Sequence, residues 1–308
     1  MQRPPVLSIV VNFYNMRREA PRTLHTLSRA YQRGISQFPY EVIAIDNGST
    51  EPLSAQLVAG FGEHFRYHFH ETPSSSPVGA VNLGVSMARG RDVMVMIDGA
   101  HLLSPGVLLY AGMVLQLTAN PFVATVPFHL GPGPQNRTSR EGYDQAAEDA
   151  LLAKVDWRRD GYELFRLVGS TADASLGWFG CLFESNCFAL RRETFEALGG
   201  LNPGFTSPGG GMVNLHFFRQ ALEVAKTDYA LLLGEGTFHQ FHGGVSTGPG
   251  ADEQMHRRNL DEYLRVRGKP YAQPLRRPFY VGGISRQCLP AVRRSADRGL
   301  DFWEKNRI

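Results

Sequence analysis

Cysteine is scarce: the 308-residue chain holds three, Cys181, Cys187 and Cys288. They cannot all pair and show no metal-ligand spacing, which excludes a disulfide scaffold and makes a reducing cytoplasm the expected compartment. No apolar run approaches the ~18 to 20 residues of a membrane span. The longest, 107–117, is cut by Gly112 and Gln116 and bounded by Pro105 and Pro121. No apolar leader core precedes the first strand-like run, so no targeting segment is expected. Gly-x-Gly-x-x-Gly does not follow that run, and Gly-x-x-x-x-Gly-Lys-[Ser/Thr] does not occur, which disfavours a dinucleotide oxidoreductase and a P-loop kinase. Repeats and long polar tracts are absent as well. With 43% hydrophobic and 20% charged residues, the chain fits one large globular domain or two small ones.

Charge is small in sum but unevenly spread. Net charge is +3, yet residues 251–308 carry 13 Lys/Arg against 7 Asp/Glu, a net +6, leaving −3 on the first 250. A basic tail on a near-neutral body suits an anionic partner or a solvated helical face. Aromatic residues are not interleaved as nucleic-acid stacking platforms require, so no nucleic acid is expected. A phosphorylated ligand or a peripheral membrane contact fits the tail better.

Strand-like runs alternate with helical patterns from the start. Val6 to Val11, Glu41 to Ile45 and Asp92 to Ile97 are apolar without polar alternation, as strands covered on both faces are. Phe65 to Phe69 is a further strand candidate. Helical stretches run to about Tyr31, over Ser54 to Phe61 and over Ala80 to Arg89. Another helix follows Ser104-Pro105, capped by the serine with proline in its first turn. This order predicts βαβ units and a mainly parallel sheet. Beyond Phe128 a polar excursion leads to a helix near Tyr143 to Lys154. A strand over Asn186 to Leu190, the loop Pro208-Gly-Gly-Gly211, a helix from Val213 and a strand over Tyr229 to Leu233 follow. The tail alternates an amphipathic helix, about Asp252 to Arg267, with extended chain over Pro270 to Pro278. It reads as an appendage wrapping the core.

In an open α/β sheet, ligands bind beyond the carboxyl ends of the strands. Asp46 and Asp98 fall there, each followed by a glycine-containing turn. Such a carboxylate binds a cation, accepts a hydrogen bond from a base or ribose, or merely caps its own turn.

The order of Ser8-Ile-Val-Val-Asn-Phe-Tyr-Asn15, Asp46-Asn-Gly-Ser-Thr50, Ala80-Val-Asn-Leu-Gly84 and Ile97-Asp-Gly-Ala-His-Leu-Leu-Ser-Pro105 resembles the family 2 glycosyltransferases of the GT-A fold. Ser185 to Arg192 and Leu198-Gly-Gly-Leu201 continue the likeness, which covers about residues 6–248. The resemblance implies an α/β nucleotide-diphospho-sugar transferase fold with a mainly parallel sheet. Residues 1–250 would form the transferase domain, with a nucleotide-binding half (1–127) and an acceptor-side half (128–250); residues 251–308 would be a basic helical extension. It also implies inverting, metal-dependent transfer from a UDP-, GDP- or TDP-linked sugar to a carbohydrate or lipid-linked acceptor. Asn12, Tyr14, Asp46, Asn82 and Asp98 are carried over as donor-binding positions, with Asp46 on the nucleoside. Asp98 would hold Mn²⁺ or Mg²⁺ on the diphosphate, because a cation stabilises the charge on the departing nucleotide.

Departures from the pattern matter. Asn12 stands where the family has proline, and Ala100, where a second aspartate belongs, cannot ligate. His101, one residue on, is a substitute ligand or a histidine at a helix start. His239 and His242, in an aromatic and glycine-rich loop after the last buried strand, are candidates to complete the metal–diphosphate site. The catalytic base has no acidic residue at the expected place after the glycine loop. Glu184 and His216 are the candidates, His216 lying off the Val213–Phe217–Ala221 stripe and expected on a solvated face; Asp173 ranks behind them. Trp178 reads as a core residue. A non-enzymatic alternative is a degenerate relative that binds a nucleotide sugar or a partner without turnover. Gly244-Val-Ser-Thr-Gly248 matches a hydrolase nucleophile elbow in letters only, since Pro249-Gly250 follows where a helix should.

Overall fold

The computed structural model describes residues 5–171, 175–245, 247–248 and 253–306. Asp173 and Ser246 lie outside them. Four strands, β1 (Leu7–Phe13), β2 (Tyr40–Asp46), β3 (Phe65–Phe69) and β4 (Asp92–Met96), alternate with α1 (Ala20–Thr26), α2 (Ala55–Ala59) and α3 (Val78–Ser86). Then come β5 (His101–Leu103), α4 (Val107–Leu117), β6 (Pro121–Leu130), α5 (Gln135–Thr138) and α6 (Gln145–Leu152). The next stretch holds β7 (Val168–Thr171), β8 (Cys187–Arg191), α7 (Arg192–Ala197), α8 (Val213–Glu223) and β9 (Asp228–His239). Last are α9 (Glu253–Arg267), β10 (Phe279–Gly282) and α10 (Leu289–Asn306). No described helix is long and apolar enough to cross a membrane.

The sheet runs β10-β9-β6-β8-β4-β1-β2-β3, with β5 paired to β9 and β7 to β6. Neighbours are parallel except around β8, which lies antiparallel to both β4 and β6, and at the short strands β5 and β7. Because β8 reverses twice, β1, β2, β4, β6 and β9 all point the same way. Their carboxyl ends share one edge. Side chains alternate between two cores: Val10, Ile43, Ile45 and Val95 on one face, Ile9, Val11, Ala44 and Met96 on the other. Burial on both faces explains why these strands carry no polar alternation.

Local chemistry shifts several boundaries. The first helix is shorter than its pattern: Asn15, with a left-handed φ of 53°, precedes a start at Ala20 with Pro21 in the first turn, and the helix ends at Thr26 rather than about Tyr31. Ser54 does cap α2, its hydroxyl accepting from Leu57 N at 3.0 Å. Ser104 does not cap α4. Its hydroxyl donates to Glu235 Oε2, and the same carboxylate accepts from Gly106 N at 3.1 Å, so a residue of β9 caps the helix instead. His101 opens a strand rather than a helix, and β9 extends six residues past Leu233 to take in His239.

The tail contributes more than helix. β10 adds a parallel edge strand, pairing Phe279 with Ala230 and Val281 with Leu232. In α9, Glu262 accepts from Thr206 N (2.9 Å) and Ser207 N (3.0 Å), pinning the start of the glycine loop. Tyr263 buries the face of α8 that was expected to meet solvent. His216 is therefore 5% exposed, its ring 5.4 Å from Phe205 and 6.0 Å from Tyr263. Trp178 is fully buried, its Nε1 donating to Leu232 O at 2.9 Å.

Candidate functional site

The common carboxyl edge gathers Asp98 just past β4, His129 near the end of β6, His101 on β5 and His239 at the end of β9. Register does the work: His239 lies opposite His101 on one side and His129 on the other. The His101 and His239 ring centres are 4.8 Å apart, and those of His129 and His239 5.6 Å. Ligand atoms of Asp98, His101 and His239 lie within 4.8 Å of one another.

Asp98 is held by its own turn. Oδ1 accepts from Ala100 N at 2.8 Å, and the Asn186 side chain bonds both the N–H (2.8 Å) and the C=O (3.0 Å) of its backbone. That leaves Oδ2, which sits 3.3 Å from Nε2 of both His239 and His242. Burial alone would raise the carboxyl's pKa, but the two imidazoles hold it well below the usual range. Burial lowers the pKa of His239 despite Asp98, whereas the pKa of His242 rises, its burial outweighed by the same carboxylate. His101 is pushed well below 6.5 by burial and by His239, and His129 to about 3 by the same two causes.

The His239 tautomer follows from Gln135. That side chain donates Nε2 to Leu130 O (3.1 Å) and to His239 O (3.0 Å), so Oε1 faces His239 Nδ1. Nδ1 must then carry the proton, and Nε2 turns a lone pair toward the Asp98 carboxylate. Two lone-pair donors 3.3 Å apart need a proton or a cation between them. An imidazole whose rear N–H is held by an amide oxygen, with a carboxylate beside its free nitrogen, is a setting suited to a metal ligand. Imidazole with carboxylate suits Mn²⁺ better than Mg²⁺.

His242 is anchored through the neighbouring peptide. Glu148 Oε2 accepts from Phe241 N at 2.6 Å, and Arg18 donates to Phe241 O at 3.3 Å. Burial raises the Glu148 pKa to about 7, against the lowering pull of Phe241 N–H and Arg18.

Two pockets flank Asp98. One, about 350 Å³, is lined by Asn12, Tyr14, Met16, His242, Met255 and Asn259 among others. The second, about 270 Å³, includes His101, His129, Asn136, Glu184, Asn214 and His239. Gly209 and Gly211 of the glycine loop line both. These glycines have φ of +69° and +54°, which disfavours a side chain at either, and a Cβ on Gly211 would also stand 2.9 Å from Glu262 Oε2. Glu184, half-buried in the second pocket, has its pKa raised to about 7 by burial, although Asn214 Nδ2 donates to it at 3.1 Å.

The structure thus brings together Asn12, Tyr14, Asp98, His101, Glu184, His239 and His242. Three other candidates are occupied elsewhere. Asp46 is wholly buried, its two oxygens accepting from Ser49 N (3.0 Å) and Leu53 N (2.8 Å), so it caps its own turn. Asn82 spends both ends of its amide on Leu201, donating to its O at 2.8 Å and accepting from its N at 2.9 Å. His216 lines neither pocket, and burial between two aromatic rings lowers its pKa to about 4. Sequence reasoning missed His129, Gln135, Asn186 and Glu148. For His129 a signal existed: Pro121–Leu130 is a strand-like run with a histidine one residue from its end, much like the run that ends at His239.

The profile described as Glycosyl transferase family 2 matches residues 8–199. No curated protein sequence matches. Among solved structures, the chain is similar to the mannosyltransferase PcManGT from Pyrobaculum calidifontis, in complex with GDP-Man and Mn²⁺. The TM-score is 0.53 at 16% identity, covering 96% of this chain and 70% of that one. Glucosyl-3-phosphoglycerate synthase from Mycobacterium tuberculosis, in complex with Mn²⁺, UDP and glucosyl-3-phosphoglycerate, gives 0.51 at 16% identity, covering 87% and 82%. S. aureus TarS 1-349 gives 0.48 at 15% identity, covering 84% of this chain; the chain spans 65% of that structure's length.

Proposed function

The chain belongs to glycosyl transferase family 2 and has the GT-A fold, and from that premise we propose that it transfers a sugar from a nucleoside diphosphate to an acceptor hydroxyl, with inversion and with a divalent cation. The observation that carries this reading is the Asp98 Oδ2 facing Nε2 of His239 and of His242, each at 3.3 Å, with the His239 lone pair fixed by Gln135. Asp98 and His239 would hold the cation, with His101 in reach. Bound there, it supplies charge stabilisation for the leaving diphosphate. The pocket holding Asn12 and Tyr14 would take the nucleotide. Its described lining includes no lysine or arginine, so a bound diphosphate would rely on the cation and His242 for countercharge.

In this reading Glu184 is the general base. The acceptor hydroxyl gives its proton to the Glu184 carboxylate, and the freed electron pair forms the new bond to the anomeric carbon. The bond from that carbon to the diphosphate oxygen breaks, its pair stays on the oxygen, and the nucleoside diphosphate leaves. A single displacement inverts the anomeric centre. A carboxyl with a pKa near 7 is well matched to this task at neutral pH.

The test is a thermal-shift panel of UDP, GDP, TDP, CDP and ADP, each with and without Mn²⁺, on the wild type and Asp98→Ala. Ligand at a hundredfold its Kd stabilises by about 2.7 kcal/mol. Metal-dependent stabilisation by one diphosphate, lost in the variant, is the expected result. No response to any nucleotide would overturn the donor site and favour the degenerate scaffold.

A further inference from the structure

We infer that the pocket beside Glu184 takes an uncharged, hydroxyl-rich acceptor, a neutral glycan, and turns away phosphorylated or carboxylated ones; this rests on the transferase reading above. Its described lining holds no lysine or arginine, and the formal charges there belong to Asp98 and Glu184. The undescribed internal residues include none either. Arg294 and Arg298 line a different cleft, which shares only Phe128 with this pocket.

What the pocket does offer is neutral and unsatisfied. Asn136 Oδ1, Asn214 Oδ1, Thr247 Oγ1 and Nδ1 of His101 and of His129 are buried atoms without a hydrogen-bond partner. Asn214 donates its Nδ2 to Glu184, which fixes its orientation and leaves Oδ1 as an acceptor. Buried polar groups are normally paired, so orphans gathered in one pocket call for a ligand that pairs them. Two carboxamide oxygens and a carboxylate require hydrogen-bond donors, and sugar hydroxyls supply them. A phosphate or carboxylate brings no donor to the two carboxamide oxygens and sets its charge beside the Glu184 carboxylate, with no lysine or arginine in the described lining to meet it. Pro127, Phe128 and Ile97 add an apolar surface for the C–H face of a ring.

The experiment uses the full chain with Mn²⁺ and the sugar nucleotide of whichever base the panel selects. Hydrolysis of that donor by water is measured first, because it reports the transferase site without any acceptor. Then kcat/KM is measured for methyl glycosides of glucose, galactose, mannose and N-acetylglucosamine, and for their 6-phosphates and, where they exist, uronic acids. The expected result is transfer to at least one neutral glycoside, with its charged counterparts worse by about a hundredfold or more. Asn136→Arg should narrow that gap by at least about tenfold, since it supplies the missing cation. Equal or better use of the charged acceptors overturns the inference, as does donor hydrolysis with no neutral glycoside accepted. Absence of both donor binding and hydrolysis overturns the transferase reading itself, and the acceptor class with it.

Discussion

The turns after β2 and after β4 look alike in sequence: an aspartate at or just past the end of a buried parallel strand, with a glycine within two residues. They do opposite things. Asp46 gives both oxygens to backbone N–H groups of its own loop and is sealed from solvent. Asp98 gives one oxygen to its turn and keeps the other for two imidazoles, with about a third of its side chain exposed. What separates a carboxylate spent on its own turn from one with an oxygen to spare is the lone pairs left over once the local backbone has been served. The difference is invisible in the two motifs, because the partners that claim Asp98 arrive from β9 and the loop after it, more than a hundred residues away.

The comparison breaks most sharply at Asp98. Asp98→Ala should lower transfer by about a thousandfold and abolish metal-dependent nucleotide binding, with a smaller loss of stability than Asp46→Ala because only the Ala100 N–H loses its acceptor. Turnover and urea denaturation measured on one preparation check both halves. Asp46→Ala should do the reverse. It leaves two buried N–H groups without acceptors and costs about 3 kcal/mol of stability, while nucleotide affinity per folded molecule holds. A loss of affinity without a loss of stability would place Asp46 on the nucleoside after all.

A third carboxylate sharpens the contrast. Glu184→Gln should reduce kcat by about a hundredfold and leave donor binding intact. In the wild type, kcat/KM should climb as pH rises through about 7 and then level, because the base must be deprotonated; the variant should lose that limb. A profile unchanged by the substitution would remove Glu184 from the chemistry. The smallest effect is expected at Gln135. Gln135→Leu frees the His239 tautomer, and Mn²⁺ affinity measured by calorimetry should fall about tenfold.

Much of the fold was legible. The buried strands of the first half, their connecting helices and the carboxyl edge as the site all follow from apolar runs without alternation, and Asp98, His239 and His242 stand out as chemistry-bearing residues at the ends of such runs. Less was legible where a partner from elsewhere decides the outcome. His216 sits at a polar position of its own helical pattern, yet Tyr263 of α9 covers it. Ser104 has the sequence of a cap, yet Glu235 takes the hydroxyl and does the capping. His101 reads as the start of a helix because a three-residue strand has no pattern of its own; pairing with β9 makes it one.

By itself the sequence determined that a two-sided sheet would form, because runs such as Val93 to Met96 are stable only with both faces buried. It also determined that acidic residues would stand at the ends of those strands. The tertiary structure alone decided which of them would be free to bind. Strand register, which no local pattern encodes, set His101, His129 and His239 side by side opposite Asp98, while the backbone of its own loop closed over Asp46.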